Sequence, residues 1–379
     1  MIMKTLKLLA VLFPLLMLSG FVFLKSFPGS GEKNEMETKR KLHNSPNYKD
    51  GKFHNLINIS VTTGSMWGAM KEYFFKKSKE NVPMDSIPFA QFEIEGFKHL
   101  NSDDISITWF GHSTVLIYTS GISILTDPMF NSWVQPLNMG PKAFKGSNNL
   151  VVDSLPAIDF VLISHDHYDH LDYNSIKAIN ASRYIVPLGV KSYLVKWGIP
   201  SEKIDELDWY EELRISDNLK FTATPGQHIS GRGLFNRMST LWCGFAIELN
   251  NKKIYFSGDS GYSNEFKKIG EKFGPFDIAM LENGQYNENW AKIHMMPEEA
   301  VQAASDLKAE LFLPIHWGKY SLSVHSWYEP IERATKEAAL RGIKITTPMI
   351  GESFLLGKKI PERKWWNSKE MSINIQELN

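Results

Sequence analysis

The sequence predicts an α/β fold, because short apolar strands alternate with helices from about residue 105 towards the end of the chain. The length of 379 residues and the hydrophobic content of 43% are sufficient for one large globular domain with a substantial core. Several of the predicted strands are followed at once by side chains of the types that bind metals, and loops at strand ends gather at the rim of a sheet. We therefore expect one α/β domain over residues 51–379 with a chemical site at its strand ends.

The first three predicted strands form a meander, in which Ser120 and Gly121 make a tight turn. Seven further segments have the length and apolar content of strands. The ten predicted strands cover residues 105–110, 114–119, 122–126, 157–163, 184–186, 219–224, 241–249, 254–256, 278–281 and 311–314.

Three helices are expected between these strands. One has its apolar face within residues 190–197 and is followed by Gly198, a residue that favours the end of a helix. Another begins at Pro297, and two glutamates follow in its first turn, where they interact well with the helix dipole. Pro330 and Gly342 mark the ends of the third helix.

The N-terminal residues 1–24 differ in kind from the rest of the chain. Lys4 and Lys7 precede an uncharged stretch at 8–24, which as a helix measures about 25 Å. This pattern predicts a signal-anchor or a signal peptide, with a buried core helix as the alternative. Residues 25–50 are polar and predict a tether. We expect a protein that is membrane-anchored by this end or exported, with its catalytic domain extracytoplasmic, on the periplasmic side.

Composition excludes several classes of protein. Lys plus Arg and Asp plus Glu both total 42, and the chain lacks the dense basic tract that nucleic-acid binding requires, so we expect no nucleic-acid partner. Cys243 is the single cysteine, which excludes an intrachain disulfide and a thiolate-rich metal site.

The most informative motif runs from His165 to His170 and reads His-Asp-His-Tyr-Asp-His. It places three of the chain's eleven histidines beside carboxylates, directly after the apolar stretch 160–163. Imidazole and carboxylate ligands together suit zinc and similar first-row metal ions. A solvated polar loop is the alternative, but it would rarely concentrate so many histidines, so the motif predicts a metal site.

Three more potential ligands lie just past predicted strands. They are His228 after strand 219–224, Asp259 after strand 254–256 and His316 after strand 311–314. Each alone would be weak, because a single such residue is usually structural. Together with the His165–His170 motif they predict that one rim of a sheet holds a cluster of metal ligands.

This ordered set resembles the metallo-β-lactamase superfamily. The resemblance implies a four-layer αββα sandwich with two metal ions at one edge of the two sheets. It also implies two Zn²⁺ ions, although the mixed nitrogen and oxygen ligands admit iron or manganese. Carried onto this chain, the family's first ion is bound by His165, His167 and His228, its second ion by Asp169, His170 and His316, and Asp259 bridges the two.

The superfamily also places carboxylates that orient the ligand imidazoles, and these positions correspond to Asp127 and Asp172. For Asp127 the alternative is a turn residue before Pro128. For Asp172 it is a helix N-cap, a role that can coexist with the first. His112 is expected either as a buried hydrogen-bonding histidine or as a residue at the rim of the site.

Four longer stretches, at 108–117, 125–130, 294–300 and 314–318, resemble the N-acyl-phosphatidylethanolamine-hydrolysing phospholipase D branch and its bacterial relatives. The resemblance implies a phosphodiester hydrolase that acts on a phospholipid. It implies a catalytic role for His294, with a polar residue at a helix N-terminus as the alternative. His325 falls at a family-like position and is a candidate for the substrate cleft.

Two divalent ions about 3.5–4 Å apart clamp a bridging hydroxide and absorb the negative charge that develops on a phosphoryl oxygen. We therefore expect a zinc-dependent metallo-hydrolase in which Asp259 and Asp169 share the catalytic work with His294. A lactonase or another ester hydrolase could use the same site, and a non-catalytic, membrane-anchored binding protein is a remote alternative. The expected partners are a membrane and a phospholipid or another small anionic ester. An amphipathic face at Trp67 and Phe74 could contact a bilayer or pack on the domain.

Overall fold

The computed structural model describes residues 36–59, 77–97, 100–135, 138–149, 152–233 and 236–367, together with positions 68, 71, 72 and 75. The segment predicted as a signal-anchor, residues 1–24, lies outside the described residues, and so do Trp67 and Phe74. Among the described helices, none is both long and apolar enough to cross a membrane.

The described residues contain seventeen strands and six α-helices. In chain order the strands are β1 (Tyr48–Lys49), β2 (Lys52–Phe53), β3 (Ser106–Trp109), β4 (Val115–Thr119), β5 (Ile122–Thr126), β6 (Trp133–Gln135), β7 (Met139–Lys142), β8 (Phe160–Leu162), β9 (Arg183–Pro187), β10 (Ile204–Leu207), β11 (Glu212–Ser216), β12 (Leu219–Thr224), β13 (Gly244–Leu249), β14 (Lys252–Phe256), β15 (Ile278–Glu282), β16 (Phe312–Ile315) and β17 (Ser353–Leu355). The helices are α1 (Met36–Asn44), α2 (Tyr173–Ala178), α3 (Lys191–Lys196), α4 (Glu265–Lys272), α5 (Pro297–Asp306) and α6 (Glu329–Arg341).

Two large mixed sheets form the centre of the molecule. The first sheet has seven strands in the order β10-β9-β8-β5-β4-β3-β17, and the second has six in the order β11-β12-β13-β14-β15-β16. In each sheet an antiparallel half continues into a parallel half, at the β5–β8 pair and at the β14–β15 pair. Parallel neighbours need crossover connections, and helices supply several of them on the outer faces.

Successive side chains along the strands point alternately into the core between the two sheets and towards the outer helices. In β14, Ile254 and Phe256 belong to the core between the two sheets, whereas Tyr255 packs with helices α4 and α5 on the outside. In β15, Met280 faces the inner core and Leu281 faces the outer layer. This period of two is what a strand buried on both faces requires. With α2 and α3 packed on the other sheet, the architecture is the predicted four-layer αββα sandwich.

The predicted helices are present, and their ends follow the predicted signals. Pro297 is the first residue of α5, and Gly198 lies just past α3 with a φ of +86°. Gly342 ends α6 in the left-handed conformation, at a φ of +67°. Since glycine lacks a Cβ, it adopts this conformation at little cost.

The predicted tether at 25–50 is wrong for its described part. Residues 36–44 form α1, and Leu42 on this helix is 3% exposed. The Thr38 hydroxyl donates to the buried Glu206 carboxylate at 2.8 Å, which ties α1 to the edge strand β10. Residues 36–50 therefore belong to the domain, and its boundary precedes residue 51. The polar composition of this segment does not indicate a packed helix, because α1 is held by one buried leucine, Leu42, and by a hydrogen bond to the distant Glu206.

Candidate metal centre

The loops that follow the C-terminal ends of four strands bring the predicted ligands to one edge of the sandwich. The loop after β8 carries the motif from His165 to His170, and the loops after β12, β14 and β16 carry His228, Asp259 and His316. These loops come from both sheets, so the site lies where the two sheet edges meet. The sequence prediction that these residues converge agrees with this placement.

The first ligand group consists of His165, His167 and His228. The Nδ1 atom of His167 lies 2.9 Å from Nε2 of His165 and 3.3 Å from Nε2 of His228. Nitrogens bound tetrahedrally to one zinc ion at 2.0–2.1 Å lie about 3.3 Å apart. The three imidazoles therefore have the spacing of a metal site. Burial lowers the pKa of all three, most strongly for His165 and His228, which keeps them neutral and able to bind a cation.

The second ligand group consists of Asp169, His170 and His316. Asp169 Oδ2 lies 3.4 Å from Nε2 of His170 and 3.4 Å from Nε2 of His316. Burial opposes the positive charge of His170, but the carboxylates around it, Asp259 first, outweigh burial and raise its pKa well above the ordinary value. This side of the site is therefore electronegative and suits a cation.

Asp259 stands between the two groups. Its Oδ2 atom lies 3.2 Å from Nε2 of His170 and of His316, and 3.9 Å from Nε2 of His165 and of His228. Burial raises its pKa, but His170 and the neighbouring histidines outweigh burial and hold the pKa well below the ordinary range. An ionised carboxylate in this position reaches both groups.

Two buried polar atoms of the seven predicted ligands have no hydrogen-bond partner among the described residues. They are Oδ1 of Asp259 and Nε2 of His170. Buried polar atoms are almost always paired, so unpaired ones at a functional site point to a missing ion or water. Because both atoms belong to residues predicted as ligands, the donor set fits two divalent ions.

The backbone before Asp259 leaves no room for a side chain. Gly258 has a φ of +57°, and a Cβ built on it would lie 2.5 Å from the Cβ of Ser164. His112, Asp127 and His316 also have positive φ angles, of 52°, 32° and 65°. Such conformations cost non-glycine residues on the order of 1–3 kcal/mol each and cluster at functional sites. His316 N donates to His112 O at 2.8 Å, and this bond holds its loop against that of the other sheet.

Asp127 contacts a ligand directly. His170 Nδ1 donates to its Oδ2 atom at 2.7 Å, and the Ser164 hydroxyl donates to the same atom at 2.6 Å. A carboxylate that accepts from Nδ1 leaves the Nε2 lone pair of His170 free for a metal. Of the two readings of Asp127, the structure favours the one in which it orients a ligand.

Asp172 and His112 have different surroundings. The Asp172 carboxylate accepts from the backbone N–H and the hydroxyl of Ser175, each at 2.7 Å, and so it is the N-cap of α2. None of the described histidines hydrogen-bonds to it, which makes its orienting role wrong. His112 is fully buried, and its Nε2 donates to Asp169 Oδ2 at 2.9 Å. It is a buried histidine that also holds a ligand carboxylate.

His294 lies beside the ligands and His325 does not. The His294 ring stacks on His316 with 5.4 Å between ring centroids, and its Nδ1 lies 3.9 Å from Asp259 Oδ2. His325 accepts from the backbone N–H of Gln285 at 3.0 Å and donates from Nδ1 to Ser326 O at 2.8 Å. Nε2 therefore joins two loops and Nδ1 is engaged within its own loop, so neither nitrogen of His325 is left to bind a substrate.

Arg232 was not among the predicted site residues, yet it holds the backbone of the His165–His170 motif in place. Its guanidinium donates to the backbone oxygens of Asp166 at 2.9 Å and Leu171 at 2.6 Å, and it lies 4.0 Å from the centroid of the Tyr168 ring. Five donors in a rigid plane can satisfy several carbonyls of one loop at once. No periodicity or spacing around Arg232 marks this role in the sequence.

Glu282 was also missed. It is the last residue of β15, fully buried, and its carboxylate contacts His294 and the backbone of Met295. A signal was present, because a lone carboxylate ends the otherwise apolar strand Ile-Ala-Met-Leu-Glu. Buried carboxylates are rare unless they are paired, so such an ending marks a candidate site residue.

With this geometry, similarity to known proteins identifies the family. The profile described as the beta-lactamase superfamily domain matches residues 123–317, which include all seven predicted ligands. The chain belongs to the metallo-β-lactamase superfamily and is a metal-dependent hydrolase by family and fold.

Particular relatives refine this placement. The chain is 35% identical over 336 residues to an uncharacterised protein of Mycobacterium tuberculosis, covering 85% of this chain and 87% of the relative. It is 35% identical over 282 residues to the N-acyl-phosphatidylethanolamine-hydrolyzing phospholipase D 1 of Caenorhabditis elegans, covering 68% and 77%. A metallo hydrolase from the archaeon Ignicoccus hospitalis shares the fold, with a TM-score of 0.52, 21% identity, and 68% and 100% coverage.

We predict that Asp127→Asn weakens binding of the second ion roughly 10–100-fold, as expected when a partner of a ligand histidine is lost. The amide introduced at position 127 would donate to His170 Nδ1 and place the ring proton on Nε2, where it blocks a metal. Metal content at limiting zinc, measured by mass spectrometry, provides the test. Asp172→Asn is the matched control and should keep both ions, because asparagine is itself a good N-cap. Equal metal loss in the two variants would contradict the assignment.

Proposed function

We propose that this protein hydrolyses a phosphodiester bond of a phospholipid, using two zinc ions held by the seven converging ligands. The observation that carries the proposal is Asp259, whose Oδ2 lies within 3.9 Å of imidazole nitrogens from both ligand groups. The Caenorhabditis elegans relative, whose name states phospholipase D activity on N-acyl-phosphatidylethanolamine, supports this substrate class.

The side chains support this chemistry through charge and position. When bound, divalent ions supply a Lewis acid and lower the pKa of a bound water towards neutrality. Three of the other six predicted ligands would hold each ion, and His112 fixes the Asp169 carboxylate. Neutral imidazoles with only two carboxylates, Asp169 and Asp259, leave the pair of divalent ions with excess positive charge. That excess suits an anionic phosphodiester.

Exposed apolar residues beside the candidate metal centre support a substrate that lies in a lipid surface. The Asn55 side chain accepts from the N–H of His228 at 3.0 Å and donates to its carbonyl at 2.8 Å. The next two residues, Leu56 and Ile57, are 49% and 57% exposed. Large apolar side chains fixed next to a ligand and open to solvent are typical of a surface that meets a membrane or a partner.

A third exposed apolar side chain is Phe75, which is 81% exposed. It lies three residues after Glu72, which accepts a hydrogen bond from the side chain of Asn289 in the loop after β15. We propose that Leu56, Ile57 and Phe75 contact the bilayer and bring the metal edge to the lipid headgroups. The N-terminal residues 1–24 are then the anchor that keeps the domain at the extracytoplasmic face of the membrane.

We predict that the full-length, zinc-loaded protein releases phosphatidic acid from N-acyl-phosphatidylethanolamine in detergent micelles, and that His170→Ala lowers this rate by about 100-fold or more, because the substitution removes a ligand of the second ion. Product formation and metal content are measured together. His43→Ala, an exposed change on α1, is the control and should keep full activity. Opening of lactones without release of phosphatidic acid would replace the phospholipid with another ester. Full turnover by a variant that binds one ion would exclude a two-metal reaction.

For the membrane surface, we predict that Leu56→Ser combined with Ile57→Ser lowers binding to phospholipid vesicles about 10–100-fold, because two apolar side chains no longer enter the lipid. Co-sedimentation with vesicles measures this change. Leu340→Ser, at a residue of α6 that is 74% exposed, is the matched control and should leave binding unchanged. Unchanged binding by the double variant would show that this surface does not meet lipid.

A further inference from the structure

Glu282 faces the metal edge because of its position in strand β15. The side chains of Ile278 and Met280 belong to the core between the sheets, and the alternation of a strand places Glu282 on the same side. It is the last residue of β15, where the strand opens into the loops of the candidate site. A fully buried carboxylate at this place lies next to the ligands rather than in apolar surroundings.

Both carboxylate oxygens of Glu282 have defined partners. Oε1 accepts from the backbone N–H of Met295 at 2.5 Å, and Oε2 lies 2.8 Å from Nδ1 of His294. Oε2 also lies 3.5 Å from Nδ1 of His316. Because the backbone N–H of Met295 can only donate, it fixes Oε1 as an acceptor and leaves Oε2 for the histidines.

His294 is held with its other nitrogen unused. Its ring lies 5.1 Å from that of His228 and stacks on His316, and its side chain is 14% exposed. Within the described residues, no hydrogen bond engages Nε2 of His294. A neutral imidazole that donates from Nδ1 has a lone pair on Nε2.

We propose that Glu282 is a positioning residue that keeps His294 in the tautomer protonated on Nδ1, so that Nε2 presents a hydrogen-bond acceptor to the substrate cleft. This inference rests on the proposed hydrolytic function, in which His294 contacts the water or the hydroxyl group at the reacting phosphodiester. The pair has the geometry in which a buried carboxylate orients a histidine for proton transfer.

The contact between Oε2 and His294 Nδ1 has the length of a charge-assisted hydrogen bond in which a carboxylate accepts from an imidazole N–H, 2.8 Å. The proposed tautomer follows from this contact.

The substitution Glu282→Gln keeps the shape and volume of the side chain but replaces the carboxylate with an amide. The glutamine oxygen has to face the N–H of Met295, so its NH₂ group faces Nδ1 of His294. Since NH₂ can only donate, Nδ1 becomes an acceptor and the proton moves to Nε2. The variant therefore reverses the tautomer of His294 while it preserves volume.

The direct test reads the tautomer in the full-length, zinc-loaded protein without any substrate. In long-range ¹H–¹⁵N spectra of ¹⁵N-histidine-labelled protein, we expect His294 to be protonated on Nδ1, and on Nε2 in Glu282→Gln. Protonation on Nε2 in the unsubstituted protein overturns the proposal, whether or not the variant folds. Because no substrate is present, failure of the phospholipid assay alone would count against the proposed function and not against this pairing.

A kinetic cycle then tests whether Glu282 acts through His294. With bis(4-nitrophenyl) phosphate as the substrate, Glu282→Gln should lower kcat roughly 100-fold, as for loss of a positioned acid–base group, with little change in KM and two zinc ions retained. In a His294→Ala background, the same substitution should have no further effect on kcat.

The control is Glu206→Gln, which alters another buried carboxylate that accepts from Gly189 N and Thr38 far from the site. It should leave kcat and the zinc content unchanged. Loss of zinc in Glu282→Gln, or an equal loss of kcat in both backgrounds, would show that Glu282 acts through His316 and would overturn the proposal.

Discussion

The shared carboxylate of Asp259 is the interaction on which the candidate site depends. It lies between two groups of buried imidazoles, so its negative charge would reach a cation held by either group. The fold brings it there by placing Gly258 just after β14, at a position where any side chain would clash with Ser164. The loops after β8, β12 and β16 then close around Asp259 from both sheets.

The surroundings of the ligands are as ordered as the ligands themselves. Asp127 holds the ring of His170, His112 holds Asp169, and Arg232 holds the backbone of the main motif. Packing of this kind fixes the positions of the candidate ligands, as a metal site requires. The backbone of His112 and Asp127 has positive φ angles, and the contacts between the two sheets hold it in this strained conformation.

The sequence predicted the α/β class and the convergence of the candidate ligands at strand ends, because apolar runs and residue spacing are local signals. The division of those candidates between two ions came from the family resemblance. The sequence did not reveal β11, an edge strand whose alternating exposed residues include Glu212 and Arg214, or α1, which depends on distant Glu206. Asp127 and Asp172 looked equivalent in sequence, yet one holds His170 and the other caps α2. Glu282 and Arg232 act through contacts across the fold, which a linear pattern does not encode.

The central claim is that two ions occupy one shared site. Crystals of the zinc-loaded protein, measured at the zinc absorption edge, test it most directly. The account predicts two anomalous peaks about 3.5–4 Å apart, one among His165, His167 and His228 and the other among Asp169, His170 and His316, with Asp259 in contact with both. A single peak at saturating zinc, or a second peak that Asp259 does not touch, would contradict it.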